Sequence, residues 1–149
     1  ISYAESIKEL GFKLKLDTNG SSPHLIEQLL QTNLFDYYAV DYKAPAKRYA
    51  EICGASVHAD RVLSTIDLLS STDVPFEVRT TVIPQLDESD LIQMAQELPV
   101  VHRYVLNAYR KPEQYLPCDQ ERVDQRPYTK NQITSLADLI RPWQPHVIT

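Results

Sequence analysis

Four charged side chains stand out because each falls at or near the C-terminal end of a short extended segment: Asp17, Asp41, Lys43 and Arg79. Brought together, two carboxylates and two cations suit a zwitterionic amino-acid group, the carboxylates attracting an ammonium or a cation and the Arg or Lys a carboxylate. Thr81, Asn107 and Tyr109 hold comparable positions on their own segments and complete the candidate set. No nucleophilic constellation accompanies them. His24, His58, His102 and His146 are scattered, and Cys53 and Cys118 have no Cys or His companions at metal-ligand spacing.

Each candidate also has a purely structural reading. Asp17 serves equally well to cap the turn through Asn19 and Gly20, Lys43 as a solvated strand end before Ala44-Pro45, and Arg79 as a cross-strand partner of Glu77. Lys13 and Lys15 lie nearer the opposite end of their segment and are read as solvated. The joint pattern is more informative than its members.

The elements that must position these residues follow from hydrophobic period, which alternates between helical and extended templates, as in repeated βα units around a parallel sheet. Ser2–Leu10 carries a helical stripe of Tyr3, Ile7 and Leu10 ended by Gly11, and Phe12–Asp17 alternates with period two. Thr18-Asn-Gly-Ser-Ser-Pro is turn chemistry: Asn19-Gly20 tolerate positive φ, Ser22 suits a helix cap and Pro23 a first helical turn. A helix is predicted from Pro23 to about Thr32, a strand over Tyr37–Tyr42, a short helix near Lys47–Ile52 and a longer one over Ala59–Ser71. A strand over Phe76–Ile83, a helix over Glu88–Leu98 and a strand over Arg103–Tyr109 complete four units. Residues 110–128 show no clear period, and a last helix is predicted from about Thr129 to Ile140.

Splitting each strand by alternation yields two unequal faces. Leu14, Leu16, Tyr38, Val40, Tyr42, Val78, Thr80, Val82, Tyr104, Leu106 and Ala108 suit packing beneath helices. The other face is rich in polar and charged groups: Lys13, Lys15, Asp17, Asp41, Lys43, Glu77, Arg79, Thr81, Arg103, Asn107 and Tyr109. A closed eight-stranded barrel fills its interior with branched apolar layers, so this face predicts an α/β fold forming an open, partial TIM-like barrel with a wet or ligand-filled cavity. Ligands of parallel βα folds bind at the C-terminal strand ends, where the candidate residues fall.

With 149 residues and 43% apolar content, one domain over residues 1–149 is expected, its core in 1–110 and an irregular segment with a terminal helix in 111–149. Its 15 basic and 20 acidic residues are dispersed without a Lys/Arg block, which disfavours nucleic acid as a partner. No apolar run approaches the roughly 20 residues of a membrane span, and no leader pattern is visible, so a soluble, cytoplasmic protein is expected. The first residues read as the middle of an amphipathic helix, and an upstream segment is expected.

Four segments carry a resemblance to a known family. They are Leu14-Lys-Leu-Asp-Thr-Asn-Gly20, Asp36-Tyr-Tyr-Ala-Val-Asp-Tyr-Lys-Ala-Pro45, Phe76-Glu-Val-Arg-Thr-Thr-Val-Ile-Pro84 and Tyr104-Val-Leu-Asn-Ala-Tyr109. In order and separation they resemble the radical S-adenosylmethionine activating enzymes of glycyl radical enzymes, especially those of anaerobic ribonucleotide reductase, with pyruvate formate-lyase activating enzyme a relative. The resemblance implies a six-stranded partial barrel of which these are strands three to six. It also implies a parent protein whose [4Fe-4S] cluster, held by an upstream C-x-x-x-C-x-x-C motif, reductively cleaves S-adenosylmethionine to make a radical that takes hydrogen from a glycine of the partner enzyme. Neither that motif nor a Gly-Gly-Glu segment occurs here, so residues 1–149 alone are expected to bind no cluster and to be inactive.

By the same resemblance Asp17, Thr18, Asn19, Asp41, Lys43, Arg79, Asn107 and Tyr109 are cofactor-binding positions. Asp17 and Asp41 would help hold a monovalent cation with backbone oxygens of Thr18 and Ala39. The implied partners are a glycyl radical enzyme and an electron donor such as flavodoxin or ferredoxin. Loss of upstream strands is expected to leave Phe12–Leu16 as an apolar edge open to a second copy. Two other classes remain open from the residues alone: a βα-barrel lyase or aldolase using Lys43 for a Schiff base with Asp41 or Asp17 as acid-base partner, and a binding module without chemistry.

Overall fold

A computed structural model describes residues 2–54 and 56–149. Among them five strands form one parallel sheet in sequential order: β1 (Lys15–Thr18), β2 (Tyr37–Asp41), β3 (Phe76–Val82), β4 (Tyr104–Ala108) and β5 (Val147–Ile148). The helices are α1 (Ser2–Glu9), α2 (Pro23–Thr32), α3 (Tyr49–Cys53), α4 (Ala59–Ser70), α5 (Glu88–Glu97), α6 (Gln120–Val123) and α7 (Lys130–Ile140). This is the expected open α/β architecture. Right-handed crossovers between consecutive parallel neighbours put the connecting helices on one face and leave the other for a site.

The helix-facing list is buried through β2, β3 and β4: Tyr38, Val40, Tyr42, Val78, Thr80, Val82, Tyr104 and Leu106 join one core with Ile26, Val62, Ile66, Leu91, Met94 and Leu136. Ala108 is the exception, exposed at the end of β4. Thr80 is tolerated in this core because its hydroxyl donates to the Tyr42 carbonyl at 2.6 Å and pairs with the Tyr104 hydroxyl at 2.9 Å.

The strands are shorter than their patterns. Alternation predicts extended structure from Phe12, but pairing begins at Lys15 because Asp36 takes the preceding backbone: the Leu14 N–H donates to its carboxylate at 2.7 Å, and Lys8 pairs with the same group at 2.8 Å. Phe12 is left 62% exposed, and β1 is an edge of the described sheet.

The C-terminal residues differ more. Val147 and Ile148 add a fifth strand beside β4, which a two-residue pattern gives no periodicity to reveal. Gln144 locks this return: its buried side chain accepts from the Val101 N–H at 3.2 Å and donates to the carbonyls of Ala95 and Pro99 at 3.1 and 3.0 Å. Within 110–128, read as irregular, lies the short helix α6, and the segment is tied to the β3–α5 loop. The Gln85 amide donates to the Arg122 carbonyl at 2.9 Å, and the Tyr128 hydroxyl to the Leu86 carbonyl at 2.7 Å.

Candidate functional site

The turn after β1 is built as its residues dictate. Gly20 has φ +69°, and a Cβ there would meet Val40 and Val62 side chains at 3.0 Å, so any side chain at this position is strained and glycine is favoured. The buried Thr65 hydroxyl donates to the Gly20 carbonyl at 2.8 Å and holds the turn against α4. Thr18 and Asn19 act within the turn, Thr18 Oγ1 accepting from the Gly20 N–H at 3.1 Å and Asn19 Oδ1 from the Ser21 N–H at 3.0 Å. Ser22 stands at the helix cap but its side chain makes no capping bond; Pro23 occupies the first turn as predicted.

Parallel register sets the central cluster. Asp41 lies opposite Arg79, and Asp17 opposite Ala39. The Arg79 guanidinium therefore meets Asp41 on the adjacent strand (Nε and Nη2 to Oδ1, 3.1 and 3.0 Å) and also reaches past the methyl of Ala39 to Asp17 two strands away (Nη1 to Oδ2, 3.0 Å). Burial alone would raise the Asp17 carboxyl, but the hydrogen bond and charge of Arg79, with Lys15 behind it, hold it below the usual carboxylate range.

The pairing proposed for Arg79 with Glu77 does not form. Glu77, nearly buried on the same face, takes Lys15 at 2.9 Å, Arg103 at 2.9 Å and the Tyr37 hydroxyl at 3.3 Å. Burial pushes its carboxyl up, and Lys15 and Arg103 more than reverse that, leaving it below its ordinary value. Lys15, read from sequence as solvated, thus links two clusters, with Glu77 on one side and Asp17 at 3.6 Å on the other. Shared alternation of residues 15 and 77 was the available signal; the register that joins them is not a property of either segment alone.

A cavity of about 410 Å³ opens at the C-terminal strand ends, lined by Asp41, Lys43, Arg79 and Thr81 with Ile52, Cys53 and Ile83. Of the predicted set it gathers Asp41, Lys43, Arg79 and Thr81. Asp17 is joined to it through Arg79, whereas Asn107 is exposed and lines no part of it. Tyr109 lines a neighbouring cavity of about 330 Å³ that shares Ile83 and is walled by Gln85, Tyr115 and Arg122. Sequence reasoning did not anticipate Ile52 and Cys53, which α3 brings over the strand ends. Burial raises the Cys53 thiol, with Lys43 and Arg122 acting in the opposite sense. A comparable cavity of about 480 Å³ lies at the other end of the sheet, between Tyr37, Phe76 and Arg103, away from the end where parallel folds bind ligands.

Two loop tethers hold the cavity wall. The buried Tyr42 hydroxyl donates to Glu97 on α5, and the Ala46 N–H donates to the same carboxylate at 3.0 Å, which pins the segment bearing Lys43. Arg48 pairs with the buried Asp90 and donates to the Gln85 carbonyl at 3.0 Å, coupling the base of α3 to the β3–α5 loop.

The charge set around the cavity suits the zwitterionic end of S-adenosylmethionine: cations for a carboxylate, Asp41 for an ammonium. Other groups fit less well. Cys53 and Cys118 do not make an iron-sulfur ligand set, and among the described residues no three or more His, Cys, Asp or Glu side chains come together to hold a metal ion. The carboxylates of Asp17 and Asp41 are already bridged by a guanidinium. Among the described residues no helix is long and apolar enough to cross a membrane.

The fold and sequence have known counterparts. A domain of pyruvate-formate lyase-activating enzyme from Bacteroides vulgatus superposes with a TM-score of 0.73, covering 95% of this chain and 83% of that one; at 12% identity the likeness is one of fold. A Methanocaldococcus jannaschii protein, named provisionally as a glycyl-radical enzyme activating enzyme, is 29% identical over 99% of this chain, which spans 62% of that relative's length. Residues 1–98, which carry Asp17, Asp41, Lys43 and Arg79, match the radical SAM superfamily, and the chain belongs to that superfamily.

Proposed function

We propose that this chain supplies the S-adenosylmethionine-binding strand ends of an activating enzyme for a glycyl radical enzyme, anaerobic ribonucleotide reductase being the substrate its motifs favour. The convergence of Asp41, Lys43 and Arg79 on one cavity, within the stretch that matches the superfamily, carries this reading. The similarity to the M. jannaschii relative supports the glycyl-radical assignment.

In this reading Lys43 and Arg79 hold the cofactor's carboxylate and Asp41 its ammonium. Ile52 and Ile83 exclude water from one wall, and Asp17 orients Arg79. Asn107 and Tyr109, beyond the charged cavity, are assigned to the adenosine side. S-adenosylmethionine, with a reduced [4Fe-4S] cluster and an electron donor such as flavodoxin or ferredoxin, supplies the radical chemistry when bound. None of the chain's own side chains is required as base or nucleophile.

The test is a titration of the intact protein with S-adenosylmethionine by calorimetry. Asp41→Asn and Lys43→Ala should each weaken binding about tenfold, the scale of one charge-assisted contact. Unchanged affinity in both variants overturns the assignment. A borohydride-trapped carbonyl adduct at Lys43 would favour lyase or aldolase chemistry instead.

A further inference from the structure

Building on that reading of the cavity, we infer that Glu77 is a positioning residue of the cofactor site: it holds the Lys15 ammonium off Asp17 and so leaves Asp17 to orient Arg79. Asp17 is in register with Ala39, and Ala39 with Glu77, so the two carboxylates stand level, two strands apart. Lys15 is within reach of both, 2.9 Å from Glu77 and 3.6 Å from Asp17, the second too long for a hydrogen bond. Burial decides this competition. The Glu77 side chain is 9% exposed and depends on its cations, whereas that of Asp17, 55% exposed, is solvated and holds an ammonium weakly. The Tyr37 ring, its centroid 5.5 Å from the ammonium, draws Lys15 the same way.

The effect reaches the cavity through Arg79. Its Nη1 donates to Asp17 at 3.0 Å while Nε and Nη2 hold Asp41, so the guanidinium that lines the cavity is fixed at two points. Without the Glu77 charge, Lys15 closes on Asp17. A second cation on that carboxylate loosens its hold on the guanidinium, and the two positive groups repel each other. Arg79 then turns about Asp41 alone and meets a ligand carboxylate in a less fixed orientation. Arg103 at 2.9 Å and the Tyr37 hydroxyl at 3.3 Å anchor Glu77 where it can keep Lys15.

Calorimetric titration of the intact protein with S-adenosylmethionine tests this. Glu77→Gln, which keeps the shape and removes the charge, should weaken binding roughly fivefold, and Lys15→Met added to it should bring the affinity back to within about twofold of wild type. A role in stability alone gives no such rescue, because Lys15→Met restores none of the bonds that Glu77 makes. Unchanged affinity in Glu77→Gln overturns the inference, as does a loss that Lys15→Met leaves in place. If Glu77→Gln fails to fold, Glu77→Asp, which withdraws the charge from Lys15 by one methylene, replaces it under the same criteria. Exchange of the Arg79 Nε–H with water, followed by nitrogen NMR without ligand and assigned by its absence in Arg79→Lys, reads the same side chain independently of the cofactor. It should quicken roughly threefold in Glu77→Gln and return to the wild-type rate with Lys15→Met. A wild-type protein that does not bind S-adenosylmethionine counts against the proposed function, while the exchange rates still decide the role of Glu77.

Discussion

The Tyr42 hydroxyl, buried at the end of β2, donates to the Glu97 carboxylate on α5, and the Ala46 N–H shares that acceptor at 3.0 Å. This tie spans the segment that carries Lys43, so a residue far from the cavity in sequence sets where the lysine stands. Glu97→Ala leaves a buried phenol and a backbone N–H without their acceptor, at a cost of about 2–3 kcal/mol. Urea denaturation should show that loss, and Glu97→Gln should recover part of it by restoring an acceptor.

Arg48 and Asp90 make the second tether. The Asp90 side chain is only 3% exposed, and among the described residues it accepts, besides Arg48, only the Asp87 N–H of its own capping box, at 3.2 Å. Arg48→Ala strands a buried carboxylate and should destabilise the chain by about 3 kcal/mol. Arg48→Lys should recover little, because one ammonium cannot also span to Glu51 and the Gln85 carbonyl as the guanidinium does.

Ala39 is predicted to be indispensable to the reach of Arg79. Ala39→Leu places a branched side chain between β1 and β3 and should abolish the Asp17–Arg79 coupling, about 0.5 kcal/mol for a pair this exposed. A double-mutant cycle on Asp17 and Arg79, run once in the wild-type background and once in the Ala39→Leu variant, measures it directly.

Acid should act through Glu77 and Asp17. Both carboxyls lie below their ordinary values when folded, so in the window between folded and unfolded pKa the unfolded chain binds more protons, and stability rises with pH. The contribution is complete above about pH 5 and is lost as pH falls through about 4 and below. Urea midpoints should therefore be flat from pH 7 to 5 and drop beneath that. Glu77→Gln should be less stable at pH 7 and show a shallower acid fall.

Alternation along each segment already separated the helix-facing from the site-facing side chains, and Asp17-Thr-Asn-Gly20 already required a turn. These are local consequences of a period of two and of a missing Cβ, legible without neighbours. The partners of the charged residues were not legible in the same way. Glu77 and Arg79 sit two apart on one strand with equal claims on the lysines, arginines and acids nearby; register decides that Glu77 takes Lys15 and Arg103 while Arg79 takes Asp17 and Asp41.

Residue types and their spacing thus determined by themselves a parallel βα architecture and a set of opposite charges at strand ends. Tertiary structure alone decided which of them meet, that α3 brings Ile52 and Cys53 into the cavity wall, and that Val147–Ile148 returns as a fifth strand. Periodicity is written into neighbouring residues, whereas ion pairing and cavity lining depend on how distant segments are aligned and packed.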